Sequence, residues 1–256
     1  GVPMTVLQTV AVAFSMFSAL PMPRVEWSES NLRYALCAFP LIGLVLGGGC
    51  WLWWALCGAL ELPALLRGGG LCLIPVAVTG GIHLDGYADT WDARASHGDP
   101  ARRQEILKDP HLGAFAAIRL CGWFVADFAL WTALLRLDGA VVTAGFCLSR
   151  ALSGLAVATF PLARDTGLAH TFASRAHRRR VKVTLGAVSA ALCALLVWRG
   201  GGLMALAALG VFLWYRRMAR VEFGGLSGDL AGWFVQTAEL WMLAALVLTQ
   251  YGGRLL

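Results

Sequence analysis

The feature that most constrains this chain is a series of apolar runs, each about 20 residues long, the length an α-helix needs to cross a hydrocarbon layer of about 30 Å. They lie at about 35–60, 64–82, 114–135, 139–161, 181–198, 201–219 and 228–250. The runs do not alternate apolar with polar residues, which excludes the strands of a membrane β-barrel. In lipid every backbone amide must be satisfied within the protein, so runs of this kind form helices. The chain is 58% hydrophobic and 14% charged, whereas a soluble domain is about 25% charged. The expectation is an all-α polytopic membrane helix bundle of about seven transmembrane helices, with residues 1–256 forming one integral-membrane domain. Residues 4–20 are also apolar, but Thr5, Gln8, Thr9, Ser15 and Ser18 interrupt them and Pro21-Met22-Pro23 ends them. With no positive stretch before it, this segment does not read as a cleavable signal. It is expected to form a short interfacial or re-entrant helix.

Charge sorts the connections into two sets. Loops 24–33, 83–113, 162–182 and 216–228 hold fifteen of the twenty-one Lys and Arg residues; the loops near 61–67, 136–138 and 199–202 and the C-terminal tail hold four. This positive-inside asymmetry puts the first set in the cytoplasm. All five histidines and eleven of the fifteen acids fall on that side, although neither entered the count. The chemistry is therefore expected to face the cytoplasm. The net charge of +6 comes from basic residues beside membrane segments, so no nucleic-acid partner is expected. All seven cysteines lie in apolar runs without a Cys-x-x-Cys pair, and they read as small buried hydrophobes.

One polar cluster stands out, at the exit of the second apolar run: Gly80-Gly81-Ile82-His83-Leu84-Asp85-Gly86-Tyr87-Ala88-Asp89-Thr90-Trp91-Asp92. Carboxylates this dense beside a membrane helix cost free energy and usually have a task. Asp85, Asp89 and Asp92, spaced i, i+4, i+7, occupy an arc of about 60° on a helix. They repel one another unless a cation lies between them. Hard oxygen donors suit Mg²⁺, with Mn²⁺ as the alternative, and such an ion leaves positions open for phosphate oxygens. His83 lies off this stripe and reads equally as a general base, a ligand or a structural hydrogen-bonding group.

Three further motifs lie at helix ends. Glu105 to Phe115 includes Lys108 and Asp109 and follows Arg102 and Arg103, all close to a helix start where anions bind; ordinary positive-inside charge is the rival reading. Pro161 to Leu168 contains Arg164, a candidate phosphate clamp, followed by the basic run Arg175 to Lys182, which reads as a headgroup anchor. Phe223-Gly224-Gly225-Leu226-Ser227-Gly228-Asp229 opens the last run. It reads either as an N-cap or as a fourth acid, Asp229, closing a metal–phosphate site from another helix.

Together these motifs resemble the cobalamin synthase, or adenosylcobinamide-GDP ribazoletransferase, family. The family's Gly-Gly-x-His-x-Asp-Gly-x-Ala-Asp-x-x-Asp signature matches residues 80–92. Its Met-Lys-Asp-Ser-Arg-x-Gly-Ala-Phe-Gly pattern is similar to Leu107–Ala116, with Pro110 and His111 in place of Ser and Arg. Its Pro-x-Ala-Arg-x-x-Gly-Leu stretch is similar to 161–168, and its Gly-Gly-x-Thr-Gly-Asp run to 224–229 with Ser227 for Thr. Pro21-Met22-Pro23 and Phe39-Pro40-Leu41-Ile42-Gly43 also fit, so the resemblance runs in order along most of the chain. It implies an Mg²⁺-dependent membrane transferase that joins adenosylcobinamide-GDP to α-ribazole or its 5′-phosphate and releases GMP. The site residues it implies are His83, Asp85, Asp89 and Asp229 for catalysis, Asp85, Asp89 and Asp92 for metal, and Lys108, Asp109, Arg164, Gly225 and Ser227 for substrate. A homo-oligomer or docking with other corrinoid enzymes is compatible with it.

Rival classes fit less well. A membrane prenyltransferase carries two Asp-rich motifs of similar form, and only one is present. A CDP-alcohol phosphotransferase expects Arg where Asp89 follows Ala88. An ion-coupled transporter places acids at the midplane, which Asp127 and Glu239 leave open. At 1.5 Å rise per residue, Asp127 lies about 20 Å deep, Arg150 and Glu239 about 16 Å, and Arg119 only about 8 Å. Lone charges at such depth need partners. Because the helices carrying Asp127 and Arg150 are joined by a short turn, the sequence suggests an Asp127–Arg150 pair with Glu239 nearby.

Overall fold

The computed structural model describes residues 2–253, with side chains from residue 6 onward. The described chain is helical: α1 (Val2–Phe17), α2 (Glu29–Leu32), α3 (Ala35–Ala38), α4 (Pro40–Ala59), α5 (Ala64–Thr79), α6 (Ile82–Ala95), α7 (Pro100–Ile106), α8 (Ala114–Ala133), α9 (Gly139–Thr159), α10 (Leu168–Arg175), α11 (Arg178–Trp198), α12 (Gly202–Glu222) and α13 (Gly228–Gly252). The apolar run at 4–20 becomes the 16-residue α1.

All seven expected segments are helical, but they are not equivalent. Five are long and apolar enough to cross a membrane: Ala35–Ala59, α8, α9, α11 and α13. Helix α5 has only 16 residues and passes this test only together with α6, from which it is bent by 93°. Helix α12 has the length but carries Arg216, Arg217 and Arg220 in its last turns, and falls outside the group. Among the described residues the candidate spans by length and composition are five, or six with the bent pair, within the expected set of about seven; α12 nonetheless runs from the end that holds Arg199 to the end that holds Glu222.

The core is built around α9 and α13. Helix α9 packs against α4, α11 and α13, whereas α8 packs against α5, α6 and α13. Small residues allow the closest approaches, as lipid-embedded packing favours: a Cβ added at Gly43 on α4 would stand 2.5 Å from the Cys147 backbone nitrogen on α9. This arrangement overturns the charge pairing suggested by the sequence. Arg150, fully buried on α9, donates from Nη1 to Glu239 Oε1 on α13 at 2.5 Å. Asp127 on α8 has Cys72 and Trp131 beside it instead. The short α8–α9 connection joins two helices that are not among the closely packed pairs; each packs on α13 instead. Equal depth, not adjacency in the chain, identifies the partner of Arg150.

Contacts between connecting segments fall into the two groups that charge had separated. At one end, Arg94 and Arg103 reach Glu222 at 2.8 and 3.5 Å, Gln104 Nε2 donates to the Phe223 carbonyl at 2.9 Å, and Arg175 pairs with Glu29. At the other, Arg199 pairs with Asp138 at 2.6 Å, and Gln250 binds the Leu135 N–H and the Arg136 carbonyl at 2.9 and 2.8 Å.

Candidate active site

The acidic cluster is positioned by a backbone corner. Gly80 and Gly81 both adopt left-handed conformations, with φ 66° and 76°, a region open to glycine without steric cost. They end α5 and start α6 at nearly a right angle, so α6 leaves the membrane-spanning direction. From Ile82 to Ala95 it is one unbroken helix, and Asp85, Asp89 and Asp92 share a face as their spacing predicts.

The turned helix crosses the start of α13 in backbone contact. A Cβ at Gly86 would lie 2.6 Å from the Asp229 carbonyl oxygen, and one at Gly232 would lie 2.9 Å from the His83 carbonyl oxygen. Nothing larger than hydrogen fits at this crossing. It brings Asp85, from α6, and Asp229, in the first turn of α13, to the wall of one cavity of about 300 Å³.

A third wall comes from the segment after α9. The Leu226 N–H donates to the Pro161 carbonyl at 2.8 Å, and the Ala163 N–H to the Leu226 carbonyl at 2.9 Å, forming an isolated parallel bridge between Leu162 and Leu226. Gly225 lies against this bridge, where a Cβ would stand 2.5 Å from the Ala163 nitrogen; backbone packing accounts for the glycine. The bridge aims Arg164 at the cavity. Its Nε and Nη2 donate to the side-chain and backbone oxygens of Gln104 at 2.8 and 2.6 Å, leaving Nη1 free of these bonds. Arg164 is the cation that faces Asp229.

The electrostatics of the cluster are those of unbalanced negative charge. Asp89, on α6 beyond the bend and outside the membrane-spanning helices, has its carboxyl pushed up to about 7, first by partial burial and then by Asp85, Asp229 and Asp92. Four carboxylates thus act on one another across two helices. Among the described residues no three His, Cys, Asp or Glu side chains stand in metal-holding geometry. The donor chemistry nonetheless fits Mg²⁺ or Mn²⁺, because the groups are hard oxygens whose mutual repulsion a divalent cation would relieve.

The remaining sequence-predicted residues divide. His83 has a buried ring that borders the cavity, and its Nε2 has no hydrogen-bond partner among the described residues. Ser227 also borders the cavity, but its hydroxyl accepts from the Leu230 N–H at 3.4 Å as the N-cap of α13. Asp92 is turned toward the loop before α8, where a Cβ on Gly113 would touch its Oδ1 at 2.0 Å. Lys108 and Asp109 lie on an exposed loop and do not line the cavity. There His111 holds the Asp109 carboxyl below the usual carboxylate range through its backbone N–H, at 2.9 Å, and its ring, at 2.7 Å. Gln104, which anchors Arg164, and His170, on the cavity wall, were not singled out. Gln104 carries no sequence signal because its role depends on a contact 60 residues away.

Comparison with known proteins gives a consistent result. Residues 9–247 match the family described as cobalamin-5-phosphate synthase. The adenosylcobinamide-GDP ribazoletransferase of Lachnoclostridium phytofermentans is 40% identical over 253 residues, covering 95% of each chain. That of Ectopseudomonas mendocina is 38% identical over 243 residues, 93% of this chain and 98% of its own. That of Desulfitobacterium hafniense is 33% identical over 245 residues, 91% and 93% of the two chains. No solved structure matches the chain.

Proposed function

The chain belongs to the cobalamin-5-phosphate synthase family, and from that premise we propose that it is a membrane-bound transferase joining adenosylcobinamide-GDP to α-ribazole or α-ribazole 5′-phosphate, with release of GMP. The observation that supports this most is the single cavity on which Asp85 and Asp229, from two crossing helices, face the anchored guanidinium of Arg164. A carboxylate wall opposite a cation is suited to a diphosphate carried with a divalent metal. The positive-inside charge pattern supports this cavity being open to the cytoplasm, and the bacterial relatives support a bacterial cytoplasmic membrane location.

In the reaction the ribose 3′-oxygen forms a bond to the phosphorus that bears the cobinamide, and the bond from that phosphorus to the GMP oxygen breaks. Mg²⁺ held by Asp85 and Asp89, with Asp229 closing the site and Asp92 adding negative charge beside Asp89, would neutralise the diphosphate and stabilise the departing GMP. Arg164, fixed by Gln104, offers its remaining N–H groups to a non-bridging oxygen as charge accumulates there. The hydroxyl proton passes to His83 or Asp229, the acceptors on the cavity wall. A cavity of about 300 Å³ holds a ribose–phosphate moiety but not a corrin macrocycle, so the corrinoid ring stays outside it.

The test is a purified-protein or membrane-fraction assay with adenosylcobinamide-GDP and α-ribazole phosphate, following GMP and the corrinoid product by chromatography. Turnover is expected with Mg²⁺ and none with chelator. Asp85→Asn, Asp89→Asn and Asp229→Asn should each lose at least about 100-fold in rate, the scale on which one transition-state contact acts, while inserting and purifying normally. Near-normal activity of Asp85→Asn or Asp89→Asn at low Mg²⁺ would remove that residue from the metal site.

A further inference from the structure

A second cleft, of about 580 Å³, opens beside the C-terminal end of α6 and is lined by Trp91, Arg94, Arg103, Phe115, Arg119 and Glu222. It shares no lining residue with the Asp85–Asp229 cavity. Its charge is unbalanced, with three guanidiniums facing one carboxylate. Glu222 binds Arg94 through two bonds, at 2.8 and 3.2 Å, and also reaches Arg103 at 3.5 Å, so this carboxylate is fully engaged. Arg119 makes no hydrogen bond or ion pair among the described residues; its guanidinium lies 4.1 Å from the Trp91 ring centroid, and Arg94 lies 4.7 Å from the same ring. Two cations on one indole, with a single nearby acid already shared, form a site that an anion would complete.

The surroundings of the cleft indicate what carries that anion. It sits where α8 begins and α12 ends, on the side bearing most of the basic loops. Phe115, on its wall, is 63% exposed, and Ile118 and Val221 close by in sequence are 65% and 58% exposed. Those side chains belong to membrane helices and face outward. A ligand with a phosphate head and a hydrocarbon body meets both surfaces, whereas a free phosphate meets only the first. Basic pockets between transmembrane helices near the cytoplasmic face are a recurrent setting for anionic lipid headgroups.

We propose that this cleft binds the phosphate headgroup of an anionic phospholipid, with Arg119 as the principal contact. Arg94 and Arg103, held by Glu222, set the positive field, and Trp91 fixes the guanidinium of Arg119 in place. The lipid would brace α6, and with it the aspartate face, against α8 and α12.

The experiment uses the full chain in a neutral detergent, titrated with phosphatidylglycerol, phosphatidylcholine or inorganic phosphate. Thermal shift and retained lipid in native mass spectrometry are the readouts, and neither needs turnover, so failure here is separate from failure of the transferase reading. Phosphatidylglycerol should raise the melting temperature and remain bound, while phosphatidylcholine should not. Arg119→Gln should weaken the phosphatidylglycerol effect about fivefold, the worth of one basic side chain at an anionic surface. Arg136→Gln, which removes an exposed cation at the opposite end of the bundle, should not. Equal effects on the parent and Arg119→Gln proteins would overturn the site. A shift reproduced by inorganic phosphate alone would overturn the lipid in favour of a free anion.

Discussion

The buried Arg150–Glu239 pair can be tested by stranding one partner at a time. Arg150 is completely enclosed; its Nη1 donates to Glu239 Oε1 at 2.5 Å, the Phe146 carbonyl at 3.1 Å and Ser149 Oγ at 3.3 Å, while Nε and Nη2 have no hydrogen-bond partner among the described residues. Glu239→Gln keeps the size and an acceptor but leaves a guanidinium buried without a counter-charge, a change that costs about 3–5 kcal/mol. Arg150→Met strands the carboxylate, for a similar loss. At about 2–4 °C per kcal/mol for a chain of this size, each single variant should melt about 6–20 °C below the parent. The double variant removes both charges and should lie closer to the parent than either single one. Tryptophan fluorescence melts in detergent read all four proteins of the cycle. The sequence-based pairing supplies a second arm: Asp127→Asn should not rescue Arg150→Met, because Asp127 sits with Cys72 and Trp131. Additive losses in the Arg150–Glu239 cycle, to within about 0.5 kcal/mol, or rescue by Asp127→Asn, would refute the assignment.

Three further outcomes follow from the site. Gly86→Ala should cost about 1–3 kcal/mol by overpacking and should lower turnover, since its Cβ would meet the Asp229 carbonyl at 2.6 Å; Gly122→Ala, with nothing within 4 Å, is the control and should be silent. In chelator, the Asp89 carboxyl, raised from 3.8 to about 7, makes the folded state bind more protons than the unfolded state between these values. Stability should therefore fall as pH rises through that window, so the chelated protein should melt higher at pH 5.5 than at pH 8. Mg²⁺ should reduce the difference, and an undiminished slope in Asp89→Asn would count against this cause. In a cysteine-free background, cysteines placed at Ser96 or Ser174 should react with an impermeant maleimide only after cells are opened; labelling of intact cells would reverse the orientation.

Much of this protein is determined locally and is therefore legible in the sequence. Apolar runs of span length dictate membrane helices because lipid offers no other partner for the backbone. The i, i+4, i+7 spacing places Asp85, Asp89 and Asp92 on one face wherever α6 lies. The loop charges separate the two ends of the bundle, and the contacts between loops agree with that division. What the sequence does not contain is which helix lies beside which. The Gly80–Gly81 corner marks a turn, but only the packing of α6 across α13 makes Asp85 and Asp229 walls of one cavity. Arg164 stands among many arginines until the Leu162–Leu226 bridge and Gln104 aim it. The α8–α9 connection suggests the wrong partner for Arg150, because short loops constrain chain ends whereas a buried charge pairs with whichever helix packs against it, here α13. Pairing and cavity are properties of non-local contact, decided by which small residues let two backbones approach, and only the tertiary structure resolves them.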